Sequence, residues 1–145
     1  MSHNTKVYRK QGGDEMVVAS GGKITEESGG AILGRAVLNA YAADIGTVGS
    51  SFVVCPFAGT IVGLAAINHG ANAGTKTVLT AKLATVAVTA PAWEVAATAT
   101  AGTGTAVVPT AANVVAAGDV IELAYDGGSS NVTPATFSVT ILRAS

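Results

Sequence analysis

Between Phe52 and Leu142 the chain is a succession of short runs rich in Val, Ile and Thr, each closed by Gly, Pro, Asn or Asp. Val and Thr suit a pleated, half-buried surface, and Gly, Pro and Asn suit the turns between strands. Phe52–Cys55 is stopped by Pro56. Thr60–Ile67 is stopped by the turn-rich stretch 68–74. Lys76–Leu83 alternates Lys or Thr with apolar residues. Thr85–Thr89 and Ala92–Val95 flank Pro91, and Thr105–Val108 precedes Pro109. Asp119–Tyr125 lies between Gly118 and Asp126-Gly127-Gly128, and Ala135–Leu142 closes the series. About eight short, evenly spaced strands with no long helix among them describe a β-sandwich of jelly-roll or immunoglobulin-like type. The expected fold class is therefore all-β, a jelly-roll-like sandwich. Its inward set is Val53, Ile61, Leu64, Val78, Leu83, Trp93, Val120, Leu123, Phe137, Val139 and Ile141. The last run is the clearest, with Phe137, Val139 and Ile141 set against Thr136, Ser138 and Thr140.

Charge divides the chain. Charged residues make up 12% of it, against about 25% in ordinary domains. Residues 1–35 hold Lys6, Arg9, Lys10, Asp14, Glu15, Lys23, Glu26, Glu27 and Arg35, more than half of all charges in a quarter of the length. We therefore expect an N-terminal arm over 1–35, a linker or short helix over 36–50, and a sandwich body over 51–145. In the arm, Ser20-Gly21-Gly22-Lys23-Ile24 recurs as Ser28-Gly29-Gly30-Ala31-Ile32. Repeated Gly-Gly turns followed by apolar residues describe short strands that fold back at intervals. A segment this short buries its Met16, Val17, Val18 and Ile24 only by packing on something larger. Leu33, Val37, Ala40 and Tyr41 lie near helical spacing, so 31–44 is the one candidate helix.

The apolar fraction is 49%, the net charge −1 and the mean hydropathy +0.48. So few charges cover a monomer poorly, which points to a surface partly buried against other copies. The only basic cluster is Lys6, Arg9 and Lys10, too little for a nucleic-acid footprint. The most apolar stretch, 84–101, contains Pro91 and Glu94 and is no membrane helix. The N-terminus has no apolar core of the kind a secretory signal needs, so synthesis is expected in a cytoplasm. Asn131-Val132-Thr133 matches a glycosylation sequon but, with Pro134 next, reads as a turn.

Catalytic constellations are missing from the residue inventory. His3 and His69 have no Cys or carboxylate neighbours at metal-ligand spacing. The single cysteine, Cys55, lies in an apolar run and forms no disulfide framework. Gly102-Thr103-Gly104 lacks the third glycine of a dinucleotide loop, and Asp126–Asn131 lacks the alternating acids of a calcium loop. Glu94 and Glu122 stand alone, with no acid–base pair. No enzyme activity, cofactor or metal is expected.

The run Lys6-Val7-Tyr8-Arg9-Lys10-Gln11-Gly12-Gly13, followed by Val17-Val18-Ala19-Ser20-Gly21-Gly22 and a second Ser28-Gly29-Gly30, resembles the opening of tailed-bacteriophage capsid decoration (cement) and head-fibre proteins. The resemblance covers about the first 33 residues; beyond Gly34 only composition is shared. The chain departs from the longer head fibres in having no repetitive shaft, which favours a compact decoration protein. The resemblance implies a homotrimer on the outer surface of the mature capsid, clamping major capsid subunits. On that reading Lys6, Val7, Tyr8, Arg9, Met16 and Val17 contact the capsid, while Ile24 and Ile32 contribute trimer contacts. The alternative is a phage head or tail module for host glycans, with Trp93, Tyr125 and Asp126 as its binding residues.

Overall fold

The computed structural model describes residues 7–9, 16–18 and 34–144. The chain divides into two compact units, residues 1–32 with Ser145, and residues 33–144. In the first, β1 (Val7–Arg9) pairs antiparallel with β2 (Met16–Val18), Tyr8 opposite Val17.

The second unit is built entirely of strands. They are β3 (Arg35–Ala42), β4 (Gly49–Val54), β5 (Gly59–Asn68), β6 (Thr77–Leu83), β7 (Val86–Ala87), β8 (Glu94–Val95), β9 (Gly104–Val107), β10 (Val114–Val115), β11 (Val120–Tyr125) and β12 (Ala135–Arg143). They form two antiparallel five-stranded sheets. In the first, β9 and β10 pair successive stretches of β5, followed by β12 and then β3. In the second, the order is β4, β11, β6, with β7 and β8 pairing successive stretches of β6. The chain therefore alternates between sheets from β3 to β6, crosses back before β9, and crosses twice more through β11 to β12.

The inner faces of the two sheets make one core. Ala135, Phe137, Val139 and Ile141 of β12 alternate inward with almost no exposure, each larger side chain contributing about 1.5–3 kcal/mol by burial. Phe137 ties the sheets together: Trp93 meets its ring edge-on at 6.0 Å, and Tyr125 stacks on it at 6.1 Å. Ile61 and Leu64 both point inward although three residues apart, because a bulge lets Ile141 face Ile61 while Thr140 faces Gly63. The extra residue, Val62, resets the alternation midway along β5.

Three expectations need correction. The stretch 36–50, expected as a linker or short helix, is largely β3 and the start of β4, and no helix occurs among the described residues. Leu33, Val37, Ala40 and Tyr41 mimic a helical stripe, but the exposure of 35–42 alternates with period two and β12 pairs along all of it. Tertiary pairing overrides that local pattern. Second, Val78 and Val120 face outward, and their neighbours Leu79 and Ile121 fill the core. A one-residue change of phase exchanges the two faces of a strand. In β6 the phase puts Thr77 inside, where its hydroxyl finds no partner. Third, β10 was not anticipated in the Ala-rich stretch 111–117.

The β6–β7 hairpin turns through Ala84 (φ 46°) and Thr85 (φ 83°), between the paired residues Leu83 and Val86. Both residues of such a turn need positive φ, which suits Asn-Gly and strains a β-branched residue. Thr85→Gly is expected to stabilise the fold by about 1–2 kcal/mol, measured by urea unfolding with an unchanged m-value. Phe137→Ala is expected to cost about 3–5 kcal/mol in the same assay.

Candidate interaction surfaces

The isolated reactive groups of the body are tied into structural roles. Cys55 is buried, and burial followed by the nearby Asp119 charge pushes its thiol above its ordinary pKa. A neutral thiol in the core is the opposite of an activated nucleophile. His69 is exposed, and its Nε2 lies 2.8 Å from the Thr136 hydroxyl. Asp44 is a clamp. Its carboxylate accepts the backbone N–H groups of Thr133 at 2.9 Å and Gly46 at 2.8 Å, and the Thr47 hydroxyl at 2.9 Å. These bonds fasten the β3–β4 loop to the segment before β12 and hold the Asp44 carboxyl below its ordinary pKa. They also account for the sequon, since Thr133 is fully buried with its hydroxyl near Ser129 and Ala71. Among the described residues no three His, Cys, Asp or Glu side chains gather to hold a metal, and no helix is long and apolar enough to cross a membrane.

What the body presents instead is two sheet faces. On the outer face of the first sheet, Val37, Asn39 and Tyr41 of β3 stand beside Thr136, Ser138 and Thr140 of β12. Asn39 accepts the Ser138 hydroxyl at 2.6 Å. Across β12, the small residues Ala65, Gly104 and Ala106 leave a shallow trough. On the outer face of the second sheet, Glu122 is held by the Ser50 hydroxyl at 2.6 Å and the Lys82 ammonium at 3.3 Å. The Ser50 bond leads in lowering the Glu122 carboxyl below its ordinary pKa, with Lys82 adding to it. Around this polar centre Phe52, Val54, Val120 and Val86 lie exposed.

Of the residues expected to meet a capsid, the β1–β2 pair sets Val7, Tyr8 and Arg9 opposite Val18, Val17 and Met16. Lys6, Ile24 and Ile32 lie outside the described residues. Of the glycan candidates, Tyr125 and Asp126 line one shallow pocket on the second sheet with Lys82 and Glu122, and Trp93 stands apart from them. Trp93 is 3% exposed and inside the core, Tyr125 lies against Phe137, and the Asp126 carboxylate accepts the Val78 N–H at 2.8 Å. Sequence reasoning missed Val37 and Tyr41 as surface residues of a strand. The period-two alternation of 35–41 was the available signal, hidden by the competing helical spacing. Comparison with protein families, curated proteins and solved structures finds no match for this chain.

Both Asp44 and Glu122 titrate lower in the folded chain than their ordinary values of 3.8 and 4.5. Their stabilisation is present above those values and is lost as pH falls through the depressed ones. Unfolding free energy measured from pH 6 to pH 2 is expected to drop across that acid window. Asp44→Ala should cost about 1–3 kcal/mol at neutral pH and flatten the drop.

Proposed function

We propose that this protein is a structural component of a tailed-phage virion. It binds the outer surface of the mature capsid as a homotrimer and cements it. The observation that carries this reading is the division of the chain into a strand-built body and a separate N-terminal unit whose paired strands contain Val7, Tyr8, Arg9, Met16 and Val17. We read the two-sheet body as a jelly roll, and its strand order supports that reading. With β7/β8 and β9/β10 each counted as one interrupted strand, one sheet runs first–eighth–third–sixth and the other second–seventh–fourth–fifth, the order two interlocked Greek keys produce. The scarcity of charge and the exposed Val, Phe and Tyr side chains suit a protein that works by contact.

In this reading the partners are two further copies and the major capsid protein, and neither nucleic acid, membrane nor cofactor takes part. The chain is made in the host cytoplasm and ends on the capsid exterior. Three arms on one trimer act at an effective concentration near the millimolar range, so contacts weak one by one combine into stable binding. Preference for the mature shell stabilises it by mass action, about 2.7 kcal/mol per site at a hundredfold excess over Kd.

Co-sedimentation with mature, undecorated shells tests the reading. Saturable binding in multiples of three per quasi-three-fold site is expected, and the absence of binding by folded protein overturns it. Deleting residues 2–20 is expected to abolish co-sedimentation while leaving the body folded; retained binding would remove the arm from the capsid contact.

A further inference from the structure

The two sides of the sandwich end differently. On one side the sheets finish in interrupted pieces, β7 with β8 and β9 with β10, none longer than the four residues of β9. Short, broken edges are poor templates for another strand. On the other side they finish in β3, with eight residues, and β4, with six. These edges adjoin each other: the Ser51 hydroxyl of β4 donates to the Tyr41 carbonyl of β3 at 3.1 Å. β3 pairs with β12 without a register shift and contains no Pro, no Lys and no bulge. Among the described residues no strand pairs with its other edge, whose one bond to β4 is the Ser51 hydroxyl on the Tyr41 carbonyl. The same stretch holds Val37, Tyr41, Val48, Phe52 and Val54, each at least 59% exposed.

We propose that β3 takes the β3 strand of a second copy of this chain, antiparallel, about a two-fold axis at Asn39. Charge selects this occupant. Between Gly34 and Val54 the only charged residues are Arg35, at the start of β3, and Asp44, two residues past its end. An antiparallel copy brings Arg35 opposite Ala43 of its mate, next to Asp44, whose carboxylate stays bonded to Gly46, Thr47 and Thr133; unlike charges then lie near each other and like charges stay apart. Side chains fit as well. Residues directly opposite in an antiparallel pair share a face. With Asn39 on the axis, Val37 therefore stands opposite Tyr41, an aromatic against a β-branched residue, twice per pair. The two first sheets then run on as one, and the unpaired edge disappears. This contact is isologous and closes in pairs. It goes beyond the three-fold contact proposed above and does not depend on it; the two together give hexamers.

The full-length chain carrying Asn39→Cys tests the geometry, with Ser138→Cys as its control. Opposed Cα atoms in antiparallel strands lie about 4.5 or 5.5 Å apart, both within disulfide reach. Two Ser138 residues would be separated by three strand spacings, about 14 Å. Native Cys55 is in the core and stays silent. Under oxidised glutathione, which accepts the two electrons and two protons, Asn39→Cys is expected to form a covalent dimer at least tenfold faster than Ser138→Cys. Equal rates, or no dimer, overturn the axis at Asn39. Sedimentation of the native chain is expected to give dimers or hexamers. Tyr41→Lys and Val37→Lys, both at exposed positions that the core tolerates, should return them to monomers or trimers. Native trimers unchanged by both substitutions would overturn the β3 contact and leave the decoration reading standing. Dimers alone would support β3 and count against the homotrimer.

Discussion

The fold depends on two sheets burying one face each against the other, with few large side chains to do it. The core is mostly Ala, Val, Ile and Leu, and its main aromatic contact is Phe137 between Trp93 and Tyr125. Phe137 belongs to one sheet, and both of its ring partners hang from the other. Two ring contacts across the interface fix how the sheets sit, and the small residues around them allow close approach at interior packing density. Strict alternation along β12 is a consequence, since any slip would expose Phe137, Val139 and Ile141 together.

The polar loops at the ends of the sandwich are organised by side chains rather than by regular structure. Asn68 donates to the Gly70 and Thr100 carbonyls, and Asn72 to carbonyls of Val95 and Ala96. Asp44 gathers three donors from two segments. Each of these residues replaces ladder bonds that the chain gives up where it leaves a sheet, which is why buried Asn and Thr occur in an otherwise apolar interior. Secured loops leave the sheet faces and edges as the surfaces open to other molecules. That arrangement matches a chain whose acidic side chains are held in ion pairs and loop clamps and which exposes many large apolar side chains.

Edge management separates the two sides of the body. Interrupted strands and a strained Ala84-Thr85 turn protect one side, while the other offers a regular eight-residue strand. Proteins that remain single copies usually guard such a strand. The decoration function proposed here and the β3 pairing both give the exposed apolar residues something to cover, through different contacts that different experiments read.

The sequence by itself determined the all-β class, most strand positions from Phe52 onward, and the inward set of β12, because period-two alternation and turn residues act locally. Val53, Ile61, Leu64, Trp93 and Leu123 were also legible as core. The paired strands β1 and β2 contain five of the expected contact residues, a cluster first marked by the resemblance. Only the tertiary structure decided that 35–42 is a strand, that Leu79 and Ile121 rather than Val78 and Val120 face inward, and that a bulge at Val62 admits both Ile61 and Leu64. In each of these places two local patterns fit the residues equally well. The choice between them was made by β12, β11, β4 and β6, which pair with these segments across long stretches of chain.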